Sequence, residues 1–260
     1  MKAKKCLGQN FLIDNSIINK IVDEIGANKD DLIIEIGPGR GALTNKLKKY
    51  ECNIIAYEID KDLINVLNSV EDNKTKIIFK DILNTNIKDD ISRINYNRLF
   101  IVGNLPYYIT TPIIEHIINQ NLNFEKFIIM VQKEVADRFM AKVHSKEYGY
   151  FTVLLNYYFN ISLVCNVKNT SFNPAPKVDS SVILLKPKSE LISLNIEEYK
   201  SFLKQCFSQK RKKLKNNLIG YNWDKIKNIL EKNNLSENVR AEEISGEIFI
   251  EIFLGKWLKF

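Results

Sequence analysis

Two short strings hold the residues best suited to chemistry. The first, EIGPGRGALT at 35–44, places glycines at 37, 39 and 41 directly after an apolar run. Glycines there let the backbone approach a ligand closely, and a helix starting behind them presents its N–H groups. The second, NLPYYI at 104–109, follows the apolar run LFIVG. Proline fixes φ and removes a donor, so Pro106 stiffens a turn that carries two acceptors, the Asn104 side chain and the Leu105 carbonyl. Tyr107 adds a flat ring beside them.

The glycines alone leave the cofactor open. Gly37, Gly39 and Ala42 satisfy the dinucleotide pattern G-x-G-x-x-G/A, so a nicotinamide enzyme and an S-adenosylmethionine (SAM) enzyme both fit. Two acids narrow the choice. Glu58, at the end of AYEI, can accept from both hydroxyls of a ribose, and Asp81 in FKDIL can read an adenine edge. Asp60 better suits the start of a helix. The turn at 104–107 then finds a use in methyl transfer to an exocyclic amine. Such a nitrogen is a poor nucleophile because its lone pair is delocalised into the ring. Acceptors that draw its N–H groups toward a tetrahedral arrangement localise that pair, which is positioning and polarity in place of a strong base. Tyr107 can stack on the base, and the stiff loop SFNPAPKVDSS (171–181) can offer Phe172 to its other face. A core phenylalanine ahead of a strand is the competing reading of Phe172.

These residues need strands to carry them. LIIEIG (32–37), NIIAYEI (53–59), KIIFKD (76–81), LFIVGN (99–104) and KFIIMVQ (126–132) are apolar on consecutive positions, as strands buried on both faces are. Helix-like segments at 42–50 and 61–70 lie between them. The alternation predicts βαβ units and a parallel sheet with its ligands beyond the strands' carboxyl ends. A helix around 149–159 and strands ISLVCNV and SSVILLK complete it. Past 188 the pattern is helical, with Ser245 as an N-cap for a last helix. The expected architecture is α/β: a domain built on a parallel sheet over 1–188 and a small all-helical domain over 189–260.

Bulk properties set limits. A chain of 260 residues with 45% hydrophobic content can bury a real core. No apolar run approaches the roughly 18 residues that span a bilayer, and MKAKKCLGQNF lacks the apolar stretch of a signal peptide, so a cytoplasmic protein without membrane association is expected. Cys6, Cys52, Cys165 and Cys206 are far apart and read as reduced thiols. Only His116 and His144 are present, which argues against a zinc site or a histidine-based triad; no metal is expected. A net charge of +7 leans toward a polyanionic partner.

In order, GQNFL (8–12), EIGPGRGALT, YEID, KDIL, NLPYYI, FNPAPKVDSS and QKRKKLKNNL resemble the KsgA-type rRNA adenine N6,N6-dimethyltransferases over nearly the whole chain. The resemblance implies a Rossmann-like SAM-dependent catalytic domain over 1–188, a helical rRNA-binding domain over 189–260, SAM as cofactor and dimethylation of two adjacent adenosines near the 3′ end of small-subunit rRNA, with the immature small subunit as partner; a monomer is expected. Carried over, Gln9, Asn10 and Leu12 belong to the cofactor pocket, with Gln9 and Phe11 in a segment closing over it. Gly37 meets the methionine side, Glu58 the ribose and Asp81 the adenine, with Gly39 also counted in the cofactor site. Asn104 touches cofactor and target amine; Tyr107 and Phe172 stack on the target base. Tyr108 departs from the asparagine frequent in the family.

Lys210, Arg211, Lys212, Lys213 and Lys215 form a run without an acid, the candidate RNA contact. On an unbroken helix Leu203, Phe207, Leu214 and Leu218 share one face, Lys212 and Lys215 point away, and Lys210 falls near the apolar seam. Three other readings compete: a resistance-type methyltransferase of large-subunit rRNA, a mitochondrial transcription-factor-like nucleic-acid-binding protein on the same fold, and a nicotinamide oxidoreductase. NLPY in place of NIPY and the basic tail favour the small-subunit enzyme. The intact NLPY and acids argue against a purely non-catalytic factor, and an oxidoreductase gives neither NLPY nor the tail a purpose.

Overall fold

The structure, a computed structural model, describes residue 4 and residues 7–255; Cys6 lies outside the described residues. Among the described residues nine strands form: β1 (Phe11–Leu12), β2 (Leu32–Ile36), β3 (Asn53–Tyr57), β4 (Thr75–Ile78), β5 (Leu99–Asn104), β6 (Lys126–Gln132), β7 (Phe159–Val167), β8 (Phe172–Asn173) and β9 (Ser180–Pro187). Among them run helices α1 (Asn15–Ile25), α2 (Ala42–Leu47), α3 (Ile64–Leu67), α4 (Ile87–Ile91), α5 (Thr110–Asn119), α6 (Lys133–Phe139) and α7 (Tyr150–Tyr158). Then follow α8 (Ile196–Cys206), α9 (Leu214–Asn217), α10 (Trp223–Lys232) and α11 (Gly246–Gly255).

Seven strands make one sheet in the order β4-β3-β2-β5-β6-β9-β7. β4 through β6 pair in parallel, and β9 joins antiparallel on β6. Every residue of β2 is buried, which is why its apolar positions run consecutively. The chain moves outward from β2 through β3 to β4, then returns to β5 on the other side of β2. The sheet thus reverses direction between β2 and β5, where a crevice opens beyond the carboxyl ends. β4 is shorter than expected: it stops at Ile78, and Asp81 instead caps a single 3-10 turn, Ile82–Asn84. The helical segment expected over 61–70 forms as a 3-10 turn, Lys61–Leu63, running into the single turn of α3 and ending at Leu67.

β1 and β8 form a separate antiparallel pair, with Leu12 opposite Phe172. That pairing corrects the expectation that Phe172 offers its ring to a base. The side chain is 3% exposed and packs with Leu12, Ile18, Val102 and Val182 in the main core. Across a two-residue ladder its ring turns inward with Leu12, and Asn173 takes the outward position.

The chain divides into two compact units. One runs to Ala136 and resumes over Ile161–Pro187; the other holds Asp137–Asn160 together with the chain from Lys188 onward. The single boundary expected near 188 therefore misses 137–160. These residues belong with the C-terminal helices because they supply part of that unit's core: Tyr148 donates from its hydroxyl to the Ile244 carbonyl and its ring lies 6.2 Å from that of Phe207. Tyr199, Phe202, Phe249 and Phe253 complete that aromatic core. Ser245 caps α11, accepting from the Ile248 N–H.

If the Phe172 ring is core, Phe172→Ala should cost about 3–5 kcal/mol in urea-induced unfolding. A surface platform would lose almost nothing.

Candidate active site

The loop after β2 begins at Gly37 and Gly39, with φ of 72° and 58°. Gly37 donates to the Tyr57 carbonyl at the end of β3 (2.9 Å). A Cβ on Gly39 would stand 2.9 Å from Phe11 Cδ1, so the loop tolerates no side chain there. Glu58, just past β3, fastens this loop: its Oε2 accepts from the Gly39 N–H (3.1 Å) and its Oε1 from the Asp60 N–H (2.8 Å). Burial raises its carboxyl pKa, while the backbone donors oppose the shift. Each oxygen keeps a lone pair for a ribose hydroxyl.

The segment expected to close over the cofactor is tied to these strand ends. Gln9 donates from Nε2 to Asp60 Oδ2 (2.6 Å), and its Oε1 accepts from the Lys4 N–H (2.8 Å). Lys4 Nζ meets Asp60 Oδ1 at 2.6 Å. Gln9 thus spends its side-chain polar atoms anchoring the segment, and it lines the cavity beside the Gly loop. Asn10 offers its carbonyl to Asn104 Nδ2 (3.0 Å) and donates from its own amide to the Gly8 carbonyl (3.2 Å). Because Asn104 donates to a carbonyl, its Nδ2 is identified and its Oδ1 remains an acceptor.

The turn at 104–107 is held from behind. The Ile109 N–H (3.1 Å) and the Thr110 hydroxyl (3.3 Å) both donate to the Pro106 carbonyl, which aims the turn without using the Leu105 carbonyl. The Tyr107 hydroxyl is 2.6 Å from Ser180 Oγ, which pins the ring; burial raises that phenol's pKa. Asp81 accepts from the Leu83 N–H (3.0 Å) and Asn84 Nδ2 (3.1 Å).

Two cavities flank the Gly loop. One of about 100 Å³ is lined by Gln9, Asn10, Glu58, Asp81, Leu105 and Tyr107. The other, about 240 Å³, is lined by Leu12, Glu35, Val102 and Met130. Phe11, Gly37, Gly39 and Asn104 border both, so the two form one groove with Asn104 at its waist.

Two participants, Glu35 and Arg40, had not been singled out, and Tyr108 had been noted only as a departure from the family pattern. Glu35 is 1% exposed in mid-strand, and its Oε2 has no hydrogen-bond partner among the described residues. Burial pushes its carboxyl up to about 7, with the Thr44 hydroxyl opposing and the nearby Glu58 charge assisting. Its signal was legible, since a charge inside the fully apolar run LIIEIG requires a reason. Tyr108, 60% exposed, packs its ring on Gly8, where a Cβ would lie 3.2 Å from Cε1. Arg40 sits 4.5 Å from the centre of the Phe11 ring. That stacking depends on the fold and left no trace in the motif.

The basic run lies in the second unit and is not on one helix. α8 ends at Cys206 because Asn217 Nδ2 donates to the carbonyls of Cys206 (2.7 Å) and Gln209 (3.3 Å), folding the chain back. Leu203, Leu214 and Leu218 are still buried, but across a turn. Lys210, expected near the apolar seam, is exposed and donates to the Lys146 carbonyl (3.2 Å). Lys213 bonds Asn238 Oδ1 (2.9 Å), and Lys215 lies 5.6 Å from the Trp223 ring. Arg211 and Lys212 are exposed, and their side chains have no partner among the described residues.

The groove fits SAM on its own terms. Glu58 and Asp81 stand where an adenosine has hydroxyls and a ring edge to offer. The Gly loop and the unpartnered Glu35 oxygen suit a methionine end bearing N–H donors. Among the described residues no three His, Cys, Asp or Glu side chains group as metal ligands, and no helix is long and apolar enough to cross a membrane.

The parallel sheet, with this groove beyond its strand ends, defines the protein as a SAM-dependent methyltransferase of Rossmann-like fold. Solved structures share the architecture. A dimethyladenosine transferase from Plasmodium falciparum superposes with a TM-score of 0.78 at 26% identity, covering 94% of this chain and 96% of that one. The 23S rRNA methyltransferase ErmE gives 0.74 at 23% identity over 95% and 99%, a likeness of fold. The sequence matches the family described as Ribosomal RNA adenine dimethylase over residues 1–256, and the chain belongs to that family. It is 46% identical over 258 residues to Ribosomal RNA small subunit methyltransferase A of Mycoplasmopsis pulmonis, covering 98% of this chain and 99% of the relative.

Glu35 makes stability fall with pH. The unfolded chain releases this proton near 4.5 and the folded protein holds it until about 7. Stability is therefore fully present below 4.5, declines up to 7 and then levels off, a total loss of about 3 kcal/mol, most of it between pH 5 and 8. Urea titrations of the cofactor-free protein at pH 5 and 8 should show that loss relative to Glu35→Gln. Parallel curves would place the ionised carboxylate in a solvated site.

Proposed function

We propose that this chain transfers methyl groups to the N6 amines of two adjacent adenosines near the 3′ end of small-subunit rRNA. It acts as a cytoplasmic monomer on a particle still being assembled. The observation carrying the chemistry is the Asn104 side chain: its Nδ2 is committed to the Asn10 carbonyl, which turns its Oδ1 into a fixed acceptor at the end of β5. The small-subunit target is supported by the relative's name and near full-length match.

Bound in the groove, SAM supplies an electrophilic methyl group on a sulfonium. Glu58 and Asp81 hold the adenosine side, and Gly37, Asn10 and Leu12 the remainder. Asn104 Oδ1 and the Leu105 carbonyl accept the two N–H groups of the target amine and pull its lone pair out of conjugation. Pro106 contributes no competing N–H. Tyr107, its hydroxyl tied to Ser180, offers a ring face to an extruded base. The methylated ammonium is acidic enough to shed its proton to water, so no histidine is needed. Phe172 acts from beneath, holding β1 and hence the Asn10 carbonyl in register. The second unit supplies cations for RNA phosphates, among them Arg211 and Lys212, which have no partner among the described residues.

The decisive assay offers labelled SAM with immature small-subunit particles and, separately, with large-subunit rRNA. Label should enter only the small-subunit RNA, and Asn104→Ala should abolish transfer while SAM still binds. Label confined to large-subunit RNA would overturn the substrate; near-normal turnover by the variant would remove the acceptor role. Replacing Arg211 and Lys212 together with alanine should reduce the slope of log affinity against log salt by about 1.4–1.8 for RNA. An unchanged slope would make that turn an ordinary solvated surface.

A further inference from the structure

Tyr108 sits in the turn after β5, yet the methyl transfer described above gives it no task. Tyr107–Ile109 form one 3-10 turn, so consecutive side chains leave it about 120° apart. Tyr107 therefore reaches Ser180 on β9, and Tyr108 reaches Gly8 in the N-terminal segment. A Cβ on Gly8 would stand 3.2 Å from Tyr108 Cε1 and 3.3 Å from Cδ1, so one edge of the ring lies directly on the Gly8 backbone. Gly8 has a φ of 60°, in the left-handed region that favours glycine.

The position of this contact says which ligand it concerns. Tyr108 lines the cavity that also holds Ile59, Asp81 and Ile82, the adenosine side, and it does not border the cavity beside Glu35. At 60% exposed, it stands at the rim between that cavity and solvent. Three successive residues of the segment are held by three different elements: Gly8 by this ring, Gln9 by Asp60 and Asn10 by Asn104. The two polar ties exchange for water when the segment lifts, so each resists opening only weakly. The ring contact has no such substitute, because lifting exposes apolar surface to water.

We propose that Tyr108 is a positioning residue for the cofactor: its ring clasps Gly8 over the adenosine half of the groove and sets how long SAM stays bound. The clasp acts through the segment and the rim, and leaves the acceptors at Asn104 and Leu105 to the transfer itself. It rests on the groove taking SAM and is independent of which RNA is methylated.

The test needs no turnover. The full chain is loaded with labelled SAM and chased with excess unlabelled S-adenosylhomocysteine, and retained label is followed by filter binding. Tyr108→Asn should release label about tenfold faster, as expected for the loss of one aromatic contact. Tyr108→Phe keeps Cδ1 and Cε1 and should match the wild type. The association rate should hardly change, and the melting temperature of the cofactor-free protein should be the same in both variants. Gly8→Ala pushes a methyl group into the ring and should also speed release; adding Tyr108→Asn to it should bring no further loss. Equal release from Tyr108→Asn and the wild type would overturn the clasp. So would a Tyr108→Phe that releases as fast as Tyr108→Asn, which would move the role to the hydroxyl. A lowered melting temperature in Tyr108→Asn would make the ring ordinary packing and overturn it too. Unaltered release with weaker binding of a fluorescein-labelled RNA octamer would replace the clasp by a platform for the substrate strand. A wild type that binds no label would overturn the SAM site and the clasp together.

Discussion

The hydrogen bond from the Gly39 N–H to Glu58 ties the loop after β2 to the end of β3, and the rest of the site is arranged around it. It keeps the glycine backbone in a conformation closed to other residues and holds a carboxylate where a ribose can share it. Asp60, two residues on, then takes Lys4 and Gln9, and through them the N-terminal segment. Asn10 follows from that anchorage and orients Asn104 on β5. Three strand ends are thus coupled through short polar contacts in a place where β-sheet hydrogen bonding has run out.

The second unit meets a different constraint. Its helices are short and amphipathic, so it assembles an aromatic core from segments far apart in the chain. Asn217 is central to that economy, because one side-chain amide satisfies two carbonyls at the end of α8 and converts a continuous helix into a turn. Lys210 to Lys213 therefore project from a compact bend, and only part of their charge is free for a partner.

Much of this was legible in the residues. Strands buried on both faces announce themselves as unbroken apolar runs, and Glu58, Asp81 and Asn104 stand out because each follows such a run at the same end of the sheet. Phe172 was ambiguous because a ring before a strand looks alike whether it turns in or out; the pairing of Leu12 with Phe172, separated by some 160 positions, decided it. The allegiance of 137–160 is a matter of which core Tyr148 enters, a long-range contact without local periodicity. The break after Cys206 hides for the same reason, since Asn217 acts eleven residues away. Glu35 was visible as a charge in an apolar strand, but its consequence depends on a missing partner, and only geometry shows that.

The carbonyl that orients Asn104 belongs to a segment that also walls the cofactor cavity. Any motion that lifts residues 7–11 to let a spent cofactor depart carries the Asn10 carbonyl with it and releases the Asn104 amide to rotate. The acceptor pair is then unformed for as long as the groove stands open. On the function proposed above, one hydrogen bond thus serves two ends: the backbone that walls the cavity is the same backbone that aims the Asn104 acceptor.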